Sequence, residues 1–227
     1  ETKNITDGGS SYVHHCAIEC VIEHGNNNYN VQSSDFNEDY SLKQGSVCLD
    51  MSTTYEALST IDLKGNKRVQ GKRADLGAIE SSYTNSIQPD KNGIIYVKAD
   101  GAKEGSGSSW DDATSLLQLA INTASLTKSK VYVAAGTYKG DTSSKNAFSI
   151  VEGVKVYGGF SGTEKDPSER NLKKNKTILT GQNAQRVLCQ PNHFTDSTMT
   201  VWDGFVIENG TFKEDDEYRG AGVYMRD

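Results

Sequence analysis

The pattern of apolar and polar positions predicts a regular, strand-rich region in the second half of the chain. Apolar residues alternate with polar ones, or run together, in short segments separated by glycine, asparagine and serine. From Ile94 onward these segments are IIYVKADG, KVYVAAGTY, FSIVEGVKVYGGF, KTILTG, RVLCQ, MTVWDGFVIENG and GAGVYM. We therefore predict an all-β fold in which one helix is set among many strands.

The helix is predicted over residues 112–126. Its apolar residues are three and four positions apart, the spacing of one helical face; they are Ala113, Leu116, Leu117, Ala120, Ile121 and Ala124. Asp111 or Asp112 is placed to cap the first turn.

The strands repeat along the chain. If Val154, Ile178 and Val201 are equivalent strand positions, the spacing is about 24 residues, a period typical of stacked β coils. The ladder of a leucine-rich repeat is absent, and the segments between strands are too short and polar for a helix after each strand. We predict a parallel β-helix whose exposed strand edges at one end are covered by the helix at 112–126.

The first part of the chain has a different pattern. SYVHHCAIECVIEH alternates as one strand does, whereas residues 35–83 carry isolated apolar residues among many turn residues and are predicted to be irregular. Residues 84–93 (TNSIQPDKNG) interrupt all periodicity and are predicted to be a linker.

Composition and charge exclude several classes of partner. The formal net charge is −6 and lysine and arginine do not cluster, which argues against nucleic acid and anionic lipid. No apolar run approaches the roughly 18 to 20 residues of a membrane span.

The cysteines are predicted to be small buried hydrophobic residues. On one strand, Cys16 and Cys20 would lie roughly 13 Å apart, too far for a disulfide. Without a CxxC pair, zinc is not predicted; the fourth cysteine is Cys189. A disulfide between Cys48 and Cys16 or Cys20 stays open if the chain is exported.

Several motifs carry a family resemblance. YVKADG, GSSWDDATSLLQLAI, VYVAAGTY, VYGGFSGTE and TILTG, in this order, resemble the start of right-handed parallel β-helix proteins of the pectate-lyase-like superfamily. More narrowly, they resemble bacterial cell-surface members with polymorphic-outer-membrane-protein-like repeats. Residues 35–80 resemble the closing segment of the same proteins. We therefore expect three parts. Residues 1–83 form the closing segment of one β-helix module, residues 84–93 form a linker, and residues 94–227 form the cap and first coils of a second, truncated module.

The resemblance implies a secreted or cell-surface module that serves adhesion, glycan binding or structural display without catalysis of its own. The alternative is a fragment of a polysaccharide lyase, which uses a basic residue and often calcium, or of a glycoside hydrolase, which uses paired acids. Outward candidates on the coils are Lys155, Asp203 and Glu208, with Arg186 as a base. Because Asp203 and Glu208 flank turns, no catalytic, cofactor or metal residue is predicted.

Other candidate ligand groups have simpler interpretations. The spacing of Asp62, Asp75 and Glu80 matches no calcium loop, so Arg68 and Arg73 are predicted to pair with these carboxylates and calcium stays a minor alternative. The acidic run from Glu214 to Glu217 is predicted to be a solvated loop.

Three further features concern binding partners. Exposed tyrosines could stack on sugar rings, although several alternate into the predicted core; the candidates are Tyr132, Tyr138, Tyr157, Tyr218 and Tyr224. Asn-x-Thr triplets, which are glycosylation acceptors in secreted proteins, begin at Asn4, Asn175 and Asn209. The open coil at 220–227 is predicted to pair with another chain or with the start near Tyr12.

Overall fold

The computed structural model describes residues 17–18, 29–31, 35–52, 59–142, 144–191, 193–194, 198–212 and 220–225. The chain divides into two compact units, which are described separately. Unit 1 comprises Glu1–Asn85, Pro191–Thr195 and Arg226–Asp227, and unit 2 comprises Ser86–Gln190 and Asp196–Met225. The predicted division into parts of two β-helix modules stays a prediction.

Unit 2 contains ten strands and one α-helix among its described residues. The strands are β3 (Ile94–Ala102), β4 (Lys130–Ala134), β5 (Gly136–Lys139), β6 (Asn146–Ser149), β7 (Lys155–Phe160), β8 (Thr177–Thr180), β9 (Arg186–Cys189), β10 (Val201–Asp203), β11 (Phe205–Glu208) and β12 (Val223–Tyr224). The helix is α1 (Leu117–Thr127), and Pro167–Glu169 form one 3₁₀ turn. The predicted strand segments are thus confirmed, and the chain is mostly β.

The strands of unit 2 form three parallel sheets. The first has the order β10-β7-β4-β3, the second β11-β8-β5 and the third β12-β9-β6. From β4 onward the chain visits the first, second and third sheets in turn and then begins again, and each new strand pairs in parallel with the strand three before it. This cyclic order places successive passes of the chain side by side.

The proposed equivalence of Val154, Ile178 and Val201 is wrong. Val201 pairs with Lys155 in the first sheet, but Ile178 lies in the second sheet, opposite Thr137 and Val206. The even spacing of about 24 residues arose because positions from two different sheets were compared. The connections between the sheets differ in length, and the sequence pattern does not distinguish a strand of one sheet from a strand of another.

Apolar residues of alternating positions form the core of unit 2. On the first sheet, the face that carries Ile95, Val97, Val131, Val133 and Val156 is fully buried. β-branched residues suit this position because their branched side chains pack well against neighbouring strands.

Helix α1 begins five residues later than predicted, at Leu117, and its N-cap residue is Leu116 without a side-chain cap. Asp111 and Asp112 therefore do not cap it, which corrects the prediction. The reason is tertiary: Thr114 pairs in parallel with Val97 and Ala102 of β3, so the chain is still extended there. Of the predicted apolar face, Leu116 is half-buried and all the others are buried.

One helix side chain completes a sheet edge. Gln118 Nε2 donates to the Ser149 carbonyl at 3.3 Å, and the Ser149 N–H donates to Gln118 Oε1 at 2.8 Å. Ser149 ends β6, the edge strand of the third sheet. The amide of Gln118 thus forms the pair of hydrogen bonds that a neighbouring strand would form, so part of this edge is not open to further pairing.

Unit 1 is mostly irregular where it is described, as predicted for residues 35–83. It contains one parallel pair, β1 (Ala17–Ile18) with β2 (Tyr29–Asn30). Two isolated antiparallel bridges, Phe36 with Leu42 and Ile61 with Lys67, close short turns. Most of the strand predicted in SYVHHCAIECVIEH lies outside the described residues.

Candidate functional site

The most distinctive surface of unit 2 is the outward face of the first sheet. Register places two rows of side chains across its four strands. One row is Ile94, Lys130, Lys155 and Val201, and the other is Tyr96, Tyr132, Tyr157 and Asp203. Because side chains alternate along a strand, both rows lie opposite the buried valine face. We call these two rows the lysine–tyrosine face.

The tyrosine row packs edge to face. The Tyr96 and Tyr132 rings, and the Tyr132 and Tyr157 rings, have centroids 6.0 Å apart and nearly perpendicular planes. Phe160 stacks on Tyr132 at 4.5 Å, and Trp110 packs against Tyr96 at 4.8 Å. Such aromatic pairs stabilise by about 0.5–1.5 kcal/mol beyond the burial of area. Tyr96 and Tyr132 are buried by this packing, whereas Tyr157 stays half-buried.

Two loops cover part of the face and are fixed to it. The Trp110 indole N–H donates to the Glu164 carbonyl at 2.7 Å, which joins the loop before α1 to the loop after β7. Within the second loop, Asp166 Oδ1 accepts from the Ser168 N–H at 2.9 Å and caps the 3₁₀ turn. The covering is therefore an ordered part of unit 2.

Arg170 holds the end of the second loop on the lysine–tyrosine face. Its guanidinium lies 5.3 Å from the centroid of the Tyr157 ring. It donates to Asp203 Oδ2 at 2.7 Å and to the Gly158 carbonyl at 3.0 Å, and its Nε donates to the Pro167 carbonyl at 2.7 Å. Asp203 is half-exposed and Arg170 largely buried, so the pair forms a charged border beside Tyr157.

Two phenols of this face, those of Tyr96 and Tyr132, have raised pKa values. Burial raises the pKa of Tyr96 to about 12, and the Asp90 carboxylate adds to the shift. The Tyr96 hydroxyl donates to Asp90 Oδ2 at 3.1 Å. Burial, followed by the charge of Asp166, also raises the pKa of Tyr132. Neither phenol has the lowered pKa that a general base would need.

The structure brings together only two of the four outward candidates. Lys155 and Asp203 lie on the lysine–tyrosine face, but Glu208 ends β11 in another sheet and is exposed. Arg186 is buried, which corrects its prediction as an outward base. Its Nε donates to the Gly220 carbonyl at 2.8 Å and its Nη1 to Asn146 Oδ1 at 3.0 Å, and its guanidinium lies 5.1 Å from the Tyr224 ring centroid.

The candidate tyrosines differ in exposure. Tyr138 is buried, like Tyr132, and its hydroxyl donates to the Ala134 carbonyl at 3.0 Å. Tyr157 and Tyr224 are half-buried. Tyr218 and the acidic run Glu214–Glu217 lie outside the described residues. Both half-buried tyrosines lie beside an arginine, but of the two only Tyr157 belongs to the lysine–tyrosine face.

The Asn-x-Thr triplets are not equivalent. Asn175 is buried, and its Nδ2 donates to the Gly159 carbonyl at 3.3 Å. A glycan cannot be attached to that nitrogen in the folded unit. Asn209 is exposed in a turn with a positive φ of 53°, and Asn4 lies outside the described residues.

The three carboxylates considered for calcium, Asp62, Asp75 and Glu80, accept hydrogen bonds from protein donors. Arg68 forms an ion pair with Glu80 at 2.6 Å, which confirms one predicted partner, while the role of the Arg73 side chain stays a prediction. Asp62 accepts the N–H groups of Asn66 and Glu80 at 2.7 and 2.9 Å. Burial raises the pKa of Glu80 and of Asp75.

Within the described ranges, no three histidine, cysteine or acidic side chains are placed to share a metal ion. Cys48 and Cys189 are both fully buried, as predicted, and Cys48 is a thiol rather than a disulfide partner. Burial raises the pKa of the Cys48 thiol. Cys16 and Cys20 lie outside the described residues.

Sequence reasoning found Lys155, Tyr157 and Asp203 from strand alternation but did not single out Arg170. Arg170 is the last residue of an irregular loop, GTEKDPSER, and no periodic signal marks where an arginine in such a loop will lie. No helix in the described part of the chain is long and apolar enough to cross a membrane.

Comparison of the chain with protein-family models, curated proteins and solved structures gave no match.

Proposed function

We propose that unit 2 is the beginning of a right-handed parallel β-helix of the pectate-lyase-like type, with polymorphic-outer-membrane-protein-like repeats. Two observations support this: the chain visits three parallel sheets in cyclic order, and Gln118 of α1 occupies a strand edge. In this proposal α1 covers the first coil, where unpaired edges would otherwise invite aggregation.

We further propose that the module is secreted or displayed on a cell surface and binds glycans through the lysine–tyrosine face, without catalysis of its own. The observation that carries this proposal is the half-buried Tyr157 ring, flanked by Lys155 on its strand and Asp203 on the next. The part of the Tyr157 ring that Arg170 leaves exposed offers contact to the apolar face of a sugar ring, and the charged groups offer hydrogen bonds to its hydroxyls.

A glycan array tests the proposal. We expect the chain to bind at least one polysaccharide class, and Tyr157→Ala to weaken that binding about tenfold or more because the stacking surface is lost. Lys155→Ala should weaken it less. The matched control is Lys139→Ala, an exposed lysine in the second sheet, which should bind as the unchanged chain does.

Two results would contradict the proposal. Binding that survives Tyr157→Ala, in a variant whose circular dichroism and melting temperature show an intact fold, would place the glycan elsewhere. A rise in absorbance from unsaturated product during incubation with uronate polymers would favour the lyase alternative, because elimination leaves a double bond in the product sugar.

A further inference from the structure

The chain contains two Asn–Gly pairs, and both lie in unit 2. Asn92 and Gly93 directly precede β3, whereas Asn209 and Gly210 directly follow β11. Both asparagines are exposed. An asparagine before a glycine is prone to lose its side-chain amide, because glycine has no side chain to hinder attack of its own backbone nitrogen on the asparagine Cγ. The two pairs are therefore candidate modification sites.

The side-chain amides of the two sites have matching surroundings. Asn92 Nδ2 donates to Asp90 Oδ2 at 3.4 Å, and Asn209 Nδ2 donates to Glu208 Oε1 at 3.4 Å. Each amide thus makes one long hydrogen bond to a carboxylate close before it in the chain. The side-chain environment therefore does not distinguish the two sites.

The backbone nitrogens of the two glycines are held differently. Gly93 N–H donates to the Asp90 carbonyl at 3.0 Å. The same turn is closed by Asp90 Oδ1, which accepts the Asn92 and Ile94 N–H groups at 2.8 and 2.9 Å. Gly210 N–H, by contrast, has no hydrogen-bond acceptor among the described residues. Attack requires the glycine nitrogen to lose its proton and approach the asparagine Cγ, so the bond at Gly93 must break first.

A further hydrogen bond favours reaction at Asn209. Its carbonyl accepts the Asn183 N–H at 2.8 Å. This carbonyl and the Gly210 nitrogen belong to the same peptide group. A donor on the carbonyl draws electron density away from the nitrogen, because hydrogen-bonded amide groups polarise one another, and this eases the loss of the N–H proton. The backbone thus leaves the attacking nitrogen available at Asn209 and occupies it at Asn92.

We propose that Asn209 is a site of spontaneous deamidation in the folded chain, whereas Asn92 is protected. Gly210 N bonds to Asn209 Cγ, its proton passes to a base in the solvent, and Nδ2 takes a proton from water and leaves as ammonia. The product is a succinimide ring. Water opens this ring at either of its carbonyls, which gives aspartate or isoaspartate. The net reaction converts an amide and water to a carboxylate and ammonium, without oxidation or reduction.

The isoaspartate product changes the turn after β11. In isoaspartate the main chain passes through the side-chain carbons, so the backbone gains one atom at this residue. Two hydrogen bonds join the turn to an earlier turn of unit 2: Asn183 N–H donates to the Asn209 carbonyl at 2.8 Å, and Thr211 N–H donates to the Gln185 carbonyl at 3.0 Å. A longer backbone does not keep both spacings, so we expect this contact to loosen. The turn follows a strand of the second sheet, so the proposal is independent of glycan binding by the first.

Peptide mapping by mass spectrometry tests the proposal on the whole chain, produced without glycosylation so that Asn209 Nδ2 carries no glycan. The folded chain is incubated at mildly alkaline pH. Asn209 should convert to aspartate and isoaspartate about tenfold faster than Asn92, since the energy of one hydrogen bond corresponds to about that factor in rate. In guanidinium chloride both turns are lost, and the two rates should become similar.

A variant at Asp90 tests the protection of Asn92. Asp90→Ala removes the carboxylate that closes the turn around Asn92. Deamidation of Asn92 should accelerate toward the rate of Asn209, while the rate at Asn209 stays unchanged and serves as the internal control. The comparison of folded and denatured chains decides the question if Asp90→Ala fails to fold.

A variant at Asn209 tests the effect on the turn. Asn209→Gln should stop the reaction at this position, because glutamine would have to close a larger ring. Gln182 has a φ of 55°, close to the 53° of Asn209, so unit 2 accommodates glutamine in this conformation. After incubation, hydrogen exchange at the Asn183 and Thr211 amides should accelerate in the unchanged chain but not in Asn209→Gln.

Three results would overturn the proposal. Equal rates at Asn209 and Asn92 in the folded chain would show that the fold protects neither site selectively. A difference in rate that persists in guanidinium chloride would assign the effect to the neighbouring sequence and not to the turns. Unchanged hydrogen exchange in a chain that has been converted to isoaspartate would refute the loosening of the turn.

Discussion

From the contact between Gln118 and Ser149 we predict how much one side chain contributes to the free energy of unfolding when it completes a sheet edge. Gln118→Met keeps the length and helix propensity of the side chain but removes both hydrogen bonds to the Ser149 backbone, at 2.8 and 3.3 Å. Ser149 is buried, so its N–H and carbonyl lose partners that water replaces only in part.

The expected magnitude follows from these two bonds. Each hydrogen bond contributes about 0.5–1.5 kcal/mol net, and an unsatisfied buried group costs about 1–3 kcal/mol. Gln118 is half-buried, which lets some water reach the edge and keeps the cost toward the lower values. We expect Gln118→Met to lower the free energy of unfolding by about 1–3 kcal/mol.

Urea denaturation and native-state hydrogen exchange measure the effect. Exchange at the Ser149 amide should accelerate in Gln118→Met but stay slow in Gln118→Glu, since a carboxylate still accepts that N–H. Ser125→Ala, a change at a half-buried position of the same helix, serves as the control and should alter stability by no more than about 0.5 kcal/mol. Unchanged Ser149 protection in Gln118→Met would refute the idea that this side chain replaces a neighbouring strand.

Two further predictions concern charged groups. Arg170→Met should destabilise unit 2 by about 2–4 kcal/mol in urea denaturation, because it removes three hydrogen bonds and the contact with the rings. Asp203→Asn should cost at most about 1 kcal/mol, since Asp203 is half-exposed. Equal losses in the two variants would contradict the assignment of Arg170 as the anchor of the loop. For Asp62, burial alone would raise the pKa, but the N–H groups of Glu80 and Asn66 outweigh it and lower the pKa to about 2. A carboxyl group whose pKa is lower in the folded chain stabilises the fold at pH values above its unfolded pKa of about 4. This stabilisation is lost as the pH falls toward 2. The stability difference between the unchanged chain and Asp62→Asn should therefore shrink between about pH 5 and pH 2, and a difference that is constant with pH would count against this account.

The sequence by itself determined which segments of unit 2 form strands and that one helix lies among them. Period-two alternation and β-branched residues are local properties, so the strand segments, the lone helix and the shared face of Lys155 and Tyr157 could be predicted without tertiary contacts. The irregular character of residues 35–83 was also local, because turn residues are dense there.

Only the tertiary structure decided where these elements meet. Pairing of Thr114 with β3 delayed the start of α1, since hydrogen bonds to a neighbouring strand outweigh the local capping preference of Asp112. Arg186 became buried because Asn146 and the Gly220 carbonyl, distant in sequence, supply its partners. Arg170 reaches Asp203 only because a loop folds back over the first sheet. Such contacts depend on loop paths and on register between distant segments, which local periodicity does not encode.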